Sequence, residues 1–263
     1  MRHVIPALLS WAALSGAAFA VGPAEIPSAD IVILGEVHDN PAHHVAQAEA
    51  VAQVQPKAIV WEMLTEEQAK LVSPELIADA SAMAGTLVWA EAGWPDFTMY
   101  HPIFAAAPDA ATYGAAVPRA VASGAVKGVL ADAFDAAAAY GLDRDLPTDQ
   151  QATREAMQFA AHCDALPQNL LAGMVNVQRL RDATLARAAL QALEDTGGPV
   201  VVITGNGHAR KDWGVPHYLA LVNPEATVWS IGQGEGGTMP DGGFDAIWDA
   251  AAPARADPCA AFK

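Results

Sequence analysis

Two histidines stand at the same distance behind a glycine, and each set leaves an apolar run. Gly35-Glu36-Val37-His38 follows Ile31-Val32-Ile33-Leu34, and Gly205-Asn206-Gly207-His208 follows Val200-Val201-Val202-Ile203. A third run, Ala58-Ile59-Val60-Trp61, ends in Glu62. Imidazole and carboxylate together support two kinds of chemistry. Neutral imidazole with carboxylate suits a divalent transition metal such as zinc, manganese or iron. Without a metal, a carboxylate can orient a histidine that takes up and releases protons near neutral pH. Glu36, His38, Glu62 and His208 are therefore the candidate donors, either as metal ligands or as the catalytic groups of a hydrolase. His43 and His44, one turn into the segment that follows, join them as candidates for the same mouth. Each of these residues alone has an ordinary explanation as a hydrogen-bonded structural group. Their coincidence at the ends of three apolar runs is what points to one shared site.

These side chains meet only if the runs are neighbouring parallel strands. Short β-branched runs without polar alternation read as strands buried on both faces. Between the first two lies a helix signal: Asn40 as N-cap, Pro41 at the first helical position, then Val45, Ala48, Val51 and Ala52 at helical spacing, with Pro56 as the stop. Thr65-Glu66-Glu67-Gln68 has the pattern of a capping box. Trp89, Trp94, Phe97, Tyr100 and Phe104 crowd around Gly93 and Pro95, as a rigid loop over the sheet edge or as a folded-down part of the core. Residues 118–124 read as a short helix or turn, and residues 126–131 as another strand with Asp132 at its exit. Residues 148–195 are helical in pattern and broken near Pro167, which predicts a helical hairpin inserted over about 148–196. Residues 218–222 and 226–231 read as two short strands around an Asn223-Pro224 turn, and the Gly-, Pro- and Asp-rich tail after Gly232 as loop. The expected fold is α/β: a mainly parallel central sheet flanked by helices, with right-handed crossovers and a small helical insert subdomain. In such folds ligands bind at the carboxyl ends of the strands, where the three exits would converge.

The chain has 263 residues, of which 52% are hydrophobic and 17% charged, with a formal net charge of −16. That supports one sizeable domain over residues 21–263. The charge excludes nucleic acid and an anionic membrane surface as partners, since both require a basic face. Arg2, the uncharged apolar stretch 4–18 and Ala18-Phe19-Ala20 form a signal-peptide pattern, with cleavage near Ala20. A periplasmic or secreted mature chain follows, with no stable membrane insertion and no cysteine at the cut to carry a lipid. In an oxidising compartment Cys163 and Cys259 can form a disulfide that ties the C-terminal tail to the body; two free thiols are the alternative, because spacing does not show proximity. Gly232-Gln233-Gly234-Glu235-Gly236-Gly237 fits G-x-G-x-x-G, but no helix pattern follows it, so it reads as loop and not as a dinucleotide fingerprint. His-Glu-x-x-His, G-x-S-x-G and Walker patterns are absent. Met157, Leu170 and Met174 on the insert fit core packing or an apolar pocket. Arg181-Asp182 fits a surface pair or a cation set over an anionic ligand.

Taken in chain order, the motifs resemble those of the ChaN-like haem-binding proteins, within the Tiki and erythromycin-esterase-like superfamily. Leu34-Gly35-Glu36-Val37-His38-Asp39-Asn40-Pro41 with His43-His44 is similar to the opening motif, and Trp61-Glu62-Met63 to the second. Gly93-Trp94-Pro95 through Tyr100 is similar to the aromatic segment. Ala161-His162-Cys163, Gln178 and Arg181-Asp182 resemble the helical insert, and Gly205-Asn206-Gly207-His208 the closing motif. The resemblance implies a two-part α/β fold and an exported protein of haem or iron uptake. It also implies a possible homodimer with haem held between subunits, a tyrosine on the iron and a histidine near the propionates. Of the four tyrosines, Tyr100 and Tyr218 lie nearest the expected mouth. The binding set it implies is Glu36, His38, His43, His44, Glu62, Trp94, Tyr100, Arg181, His208 and Tyr218, with Arg181 or His208 at the propionates and Trp89, Trp94, Phe97 and the methionines as walls. Hydrolases of the superfamily use residues similar to His38, Glu62 and His208, so a metal-dependent hydrolase remains the alternative.

Overall fold

The computed structural model describes residues 25–257 and 259–260; the expected signal segment, 1–20, lies outside them. The elements in chain order are β1 (Ile31–Leu34), α1 (Pro41–Val54), β2 (Ala58–Trp61), α2 (Glu66–Ala69), α3 (Pro74–Ile77), α4 (Ala80–Thr86), α5 (Trp89–Ala92), α6 (Phe97–Ala106), β3 (Ala111–Gly114), α7 (Arg119–Lys127), α8 (Thr148–Ala161), α9 (Gln168–Thr196), β4 (Val200–Ile203), α10 (Asn206–Ala209), α11 (Val215–Val222), β5 (Val228–Glu235) and β6 (Ala246–Ala250). The strands form one parallel sheet in the order β3-β2-β4-β1-β5-β6. Leu34 and Trp61 both pair with Ile203, so the three expected exits end level on one edge.

Alternate residues of each strand feed two cores. Ile31, Ile33, Ala58, Val60, Val200 and Val202 pack with Leu180 and Ala183 of α9 and with Val215 and Leu219 of α11. Val32, Leu34, Ile59, Trp61, Val201 and Ile203 pack with Ala50 and Val51 of α1 and with Ile103 and Phe104 of α6. The chain steps from β1 to β2 to β3 over the second face and returns through β4 to β5 over the first. Right-handed crossovers impose that change of face when the direction of travel reverses. The consequence matters for function. The loop leaving β4 turns to one face, and the loops leaving β1 and β2, on either side of it, turn to the other. A crevice opens at such a switch point.

Several expectations on local structure are corrected. Of the two readings of the aromatic segment, the loop is set aside and the folded-down part of the core holds: Trp89, Phe97, Tyr100 and Phe104 are buried, and Phe104 stacks on Trp61 with ring centroids 3.7 Å apart. Residues 126–131 are no strand; they span the end of α7 and a 3-10 turn at Leu130–Ala133. The side chain of Val126 there packs closely on Gly173 of α9. Residues 218–222 belong to helix α11, whose buried Val215, Tyr218 and Leu219 recur at helical spacing. The outer neighbour of β2, the edge strand β3, is Ala-Thr-Tyr-Gly and carries no apolar run that would have revealed it. The tail is not all loop either. β5 runs on through Gly232 and Gly234, and β6 pairs with it. Those two glycines stand where a Cβ would strike the Phe244 ring at 3.0 Å and the Thr238 carbonyl at 2.7 Å. The helical hairpin stands as expected, in α8 and α9. Cys163 in its turn is bonded to Cys259 of the tail, 96 residues away. No described helix is long and apolar enough to cross a membrane.

Candidate functional site

The exit of β1 is held by a buried carboxylate. Glu36 is 2% exposed. Its Oε1 accepts the Tyr100 hydroxyl at 2.8 Å and His38 Nδ1–H at 2.7 Å. His38 is thereby oriented with Nε2 left for the crevice, and its side chain keeps 34% exposure. Trp94 meets it edge-on, with ring centroids 5.0 Å apart. Burial pulls the His38 pKa down, but the hydrogen bond it donates to Glu36 and the charges of Glu62, Glu36 and Asp39 outweigh it, and the net shift is upward. Burial, and then the Glu36 charge, push the Tyr100 phenol far above its ordinary value, so it is a committed donor.

The two histidines of α1 play different parts. His44 Nε2 donates to the His38 carbonyl at 2.8 Å, while its Nδ1 sits 3.4 Å from Glu36 Oε2. His43 accepts the Val37 amide at Nδ1, at 2.9 Å, and donates from Nε2 to the Gly234 carbonyl at 3.1 Å. It latches the loop after β1 to β5 instead of facing the crevice, and burial lowers its pKa.

Across the crevice, Glu62 Oε2 accepts the Thr204 hydroxyl at 2.6 Å and the Gly205 amide at 2.9 Å. Its Oε1 lies 3.5 Å from His208 Nε2, and His208 Nδ1 lies 2.6 Å from Asp182 Oδ1. An imidazole is thus bracketed by two buried carboxylates. Burial opposes ionisation of Glu62, yet the charges of His208 and His38 with the two hydrogen bonds hold its pKa down at about 2. Burial pushes Asp182 up, against the pull of His208. It also pulls His208 down, but Glu62 and Asp182 outweigh it and raise the imidazole. Asp182 is no surface pair with Arg181: it is 2% exposed. Its register on α9 was the available signal, for it shares a seven-residue spacing with the buried Val175 and Ala189.

The glycines of the two Gly-x-x-His sets serve close approach rather than turning. Neither is among the residues with positive φ. A Cβ on Gly35 would fall 2.5 Å from Asn206 Oδ1 and 2.9 Å from the Ile231 carbonyl; one on Gly205 would fall 3.0 Å from His38 Nε2.

The crevice between these exits and the α8–α9 hairpin has a volume of about 490 Å³. His38, Glu62, Trp94, Arg181 and His208 line it, as do Asp182, Arg154, Met157, Gln158, Val175, Arg210 and Trp213. Glu36, His44 and Tyr100 stand behind His38 as its support. Tyr218 is 3% exposed and lies under the hairpin near Arg154 and Arg179, with its phenol pushed up by burial. Arg154, Arg210 and Trp213 carry no motif, and sequence reading missed them. The four candidate metal donors come to one crevice, with one atom of each held by a partner: Glu36 Oε1 by His38 and Tyr100, His38 Nδ1 by Glu36, Glu62 Oε2 by Thr204 and Gly205, and His208 Nδ1 by Asp182. Among the described residues no group of three or more His, Cys, Asp or Glu could hold an ion. A larger hollow of about 820 Å³ follows the edge strand β3 between α2 and α9, away from all of these groups.

The family described as haem-binding uptake, Tiki superfamily, ChaN matches residues 23–219. No curated protein sequence matches the chain. Among solved structures, ChaN of Campylobacter jejuni with cofacially bound haem aligns with a TM-score of 0.59 at 16% identity, over 79% of this chain and 82% of that one. The type III effector HopBA1 aligns with a TM-score of 0.45 at 11% identity, over 85% of this chain and 88% of that one. The first likeness is one of fold.

Proposed function

This chain belongs to the haem-binding uptake family of the Tiki superfamily that includes ChaN, and from that membership we propose that it binds haem in the crevice at the carboxyl edge of the sheet, as an exported component of haem or iron uptake. The observation that carries the reading is His38. Its Nδ1–H is given to a buried carboxylate, itself pinned by Tyr100, and its Nε2 is left facing a cavity. Histidines that ligate metals characteristically donate their second ring nitrogen to such a partner, which fixes the tautomer and raises ligand basicity. His38 Nε2 is therefore the atom that would hold the haem iron. Tyr100 and Tyr218, both buried, support the site instead.

The walls suit a flat ring. The volume lies in the range of small-molecule sites, about 300–1,000 Å³, and Trp94, Met157 and Trp213 supply apolar surface. Haem binds cofacially in the Campylobacter jejuni protein. A homodimer of this chain would cover the ring face that one open crevice leaves bare. Export rests on the Arg2 to Ala20 pattern. Titrating the chain from Val21 with haemin tests the reading: a saturable Soret shift at fixed stoichiometry is expected, and a featureless titration would contradict it.

A second reading draws on the Asp182–His208 pair. An imidazole oriented at Nδ1 by a buried carboxylate can activate water as a general base. In this reading His208 Nε2 would take a proton from water as the water oxygen bonds to the ester carbonyl carbon, and would return it to the alkoxide oxygen as the acyl C–O bond breaks. Turnover of an ester panel that is lost in Asp182→Asn, with haemin absorbance unchanged, would support it. Turnover that survives His208→Asn would sink it.

A further inference from the structure

The two helices of the hairpin are held very differently. α9 is rooted in one core by Val177, Leu180, Leu185 and Ala189. α8 buries no apolar side chain, and Arg154 is its one buried residue. It packs on α9 and gives Arg154, Met157, Gln158 and Ala161 to the wall of the crevice. Few buried apolar contacts mean a low free energy of local opening. α8 is therefore the wall that can move. The wall opposite is fixed, because His38 is held by Glu36 and Glu36 in turn by Tyr100.

What connects the two walls is the C-terminal tail. Where it leaves β6, the Ala251 carbonyl accepts Asn40 Nδ2 at 3.2 Å. Arg255 then grips Asp39, the residue after His38, through two hydrogen bonds at 2.8 and 2.6 Å. It grips Glu235, at the end of β5, through two more at 2.7 and 2.8 Å. Cys259, the fourth residue after Arg255, is bonded to Cys163, the second residue after Ala161. Four residues of chain reach about 14 Å at most, so the end of α8 is leashed to the exit of β1. The two ends of the leash differ in strength. The disulfide is covalent. The Arg255 side chain is 31% exposed and that of Asp39 is 49% exposed, and ion pairs open to solvent are individually weak.

We propose that the tail is a strap that holds α8 over the crevice, fixed to the hairpin by the disulfide and clasped to the β1 exit by Arg255, and that opening of the clasp lets the ligand in and out. A strap of this kind sets rates more than affinity: it slows entry and exit together, as a lid does. The disulfide keeps the open hairpin tethered, so the clasp can close again without a search. The inference rests on the haem reading only for the identity of the ligand.

Two measurements test it on wild type, Arg255→Gln and Asp135→Asn, each checked for folding by circular dichroism. Asp135→Asn is the control: it removes an exposed pair with Arg187 at the other hollow. The first measurement is amide hydrogen exchange without ligand. Arg255→Gln is expected to speed exchange over residues 148–161 about fivefold, the size of an exposed ion pair lost, and to leave residues 177–189 at the wild-type rate. The second is haemin kinetics, with association followed by rapid mixing and dissociation by transfer to excess apomyoglobin. Both rates are expected to rise about fivefold in Arg255→Gln, with little change in their ratio, and to stay at wild-type values in Asp135→Asn. Cys163→Ala with Cys259→Ala, where it folds, cuts the same leash and is expected to act in the same direction. Unchanged exchange over 148–161 in Arg255→Gln would overturn the strap whether or not haemin binds, as would equal acceleration in Asp135→Asn. Faster exchange with unchanged haemin rates would overturn the gating. Faster dissociation alone would make Arg255 a contact of the ligand and not a clasp. If haemin does not bind to wild type, the haem reading fails and the exchange result alone decides the strap.

Discussion

Glu62 is charged where burial alone would make it neutral, and the reason is local: His208, His38, Thr204 and Gly205 all favour the anion. A carboxyl whose folded pKa lies below its unfolded value adds stability above the unfolded value and loses it as pH falls toward the folded one. For Glu62 that window runs from about 4.5 down to about 2, and the term is on the order of 3 kcal/mol. Glu62→Gln should therefore flatten the acid limb of a stability–pH curve measured by urea unfolding; curves parallel to wild type would refute this. Asp182 acts with the opposite sign, because its folded pKa is raised, so the difference between variant and wild type is the quantity to read. At this scale the strand-exit histidines and glutamates were legible, since residue type and spacing announce them. Arg154 was not, because it becomes exceptional only through what the fold places around it; Asp182 carried a signal of burial in its register, but its pairing with His208 was not legible. His43 could be placed near the mouth but not assigned, as its partner Gly234 lies on a strand that glycines had disguised.

The Gly-x-x-His sets work because strand exits of β1 and β4 come close enough to exclude a side chain. Their two glycines should fail differently. In Gly35→Ala the new methyl meets the Ile231 backbone carbonyl, which cannot move without the sheet, so a loss of about 1–3 kcal/mol is expected on denaturant unfolding. In Gly205→Ala it meets the end of the His38 side chain, which can give. Stability near wild type with weakened haemin binding is expected there. Equal destabilisation in both would contradict this division. β1, β2 and β4 were readable from sequence because strands buried on both faces must be apolar throughout. β3 was hidden by an edge position that relaxes that demand. α11 was hidden by apolar and β-branched residues that fit either period, and β6 by a turn-rich composition that pairing with β5 overrides.

In the molecule as a whole, the order of strands makes the crevice, and the hairpin roofs it. The hairpin is fastened twice: by α9 running through one core, and by the Cys163–Cys259 bond to a tail whose Arg255 also grips Asp39 and Glu235. Closing so long a loop restricts the unfolded chain, so Cys163→Ala with Cys259→Ala should cost about 2–4 kcal/mol; two thiols alkylated without reductant in wild type would deny the bond itself. In a chain of net charge −16 the crevice gathers three arginines beside Glu62 and Asp182. The most direct measurement is a haemin titration of wild type beside His38→Ala, followed by absorbance. A saturable Soret band in wild type that is shifted and weakened in His38→Ala is the expected result. No band in wild type, or the same band at the same affinity in both, would contradict haem ligation by His38 in this crevice.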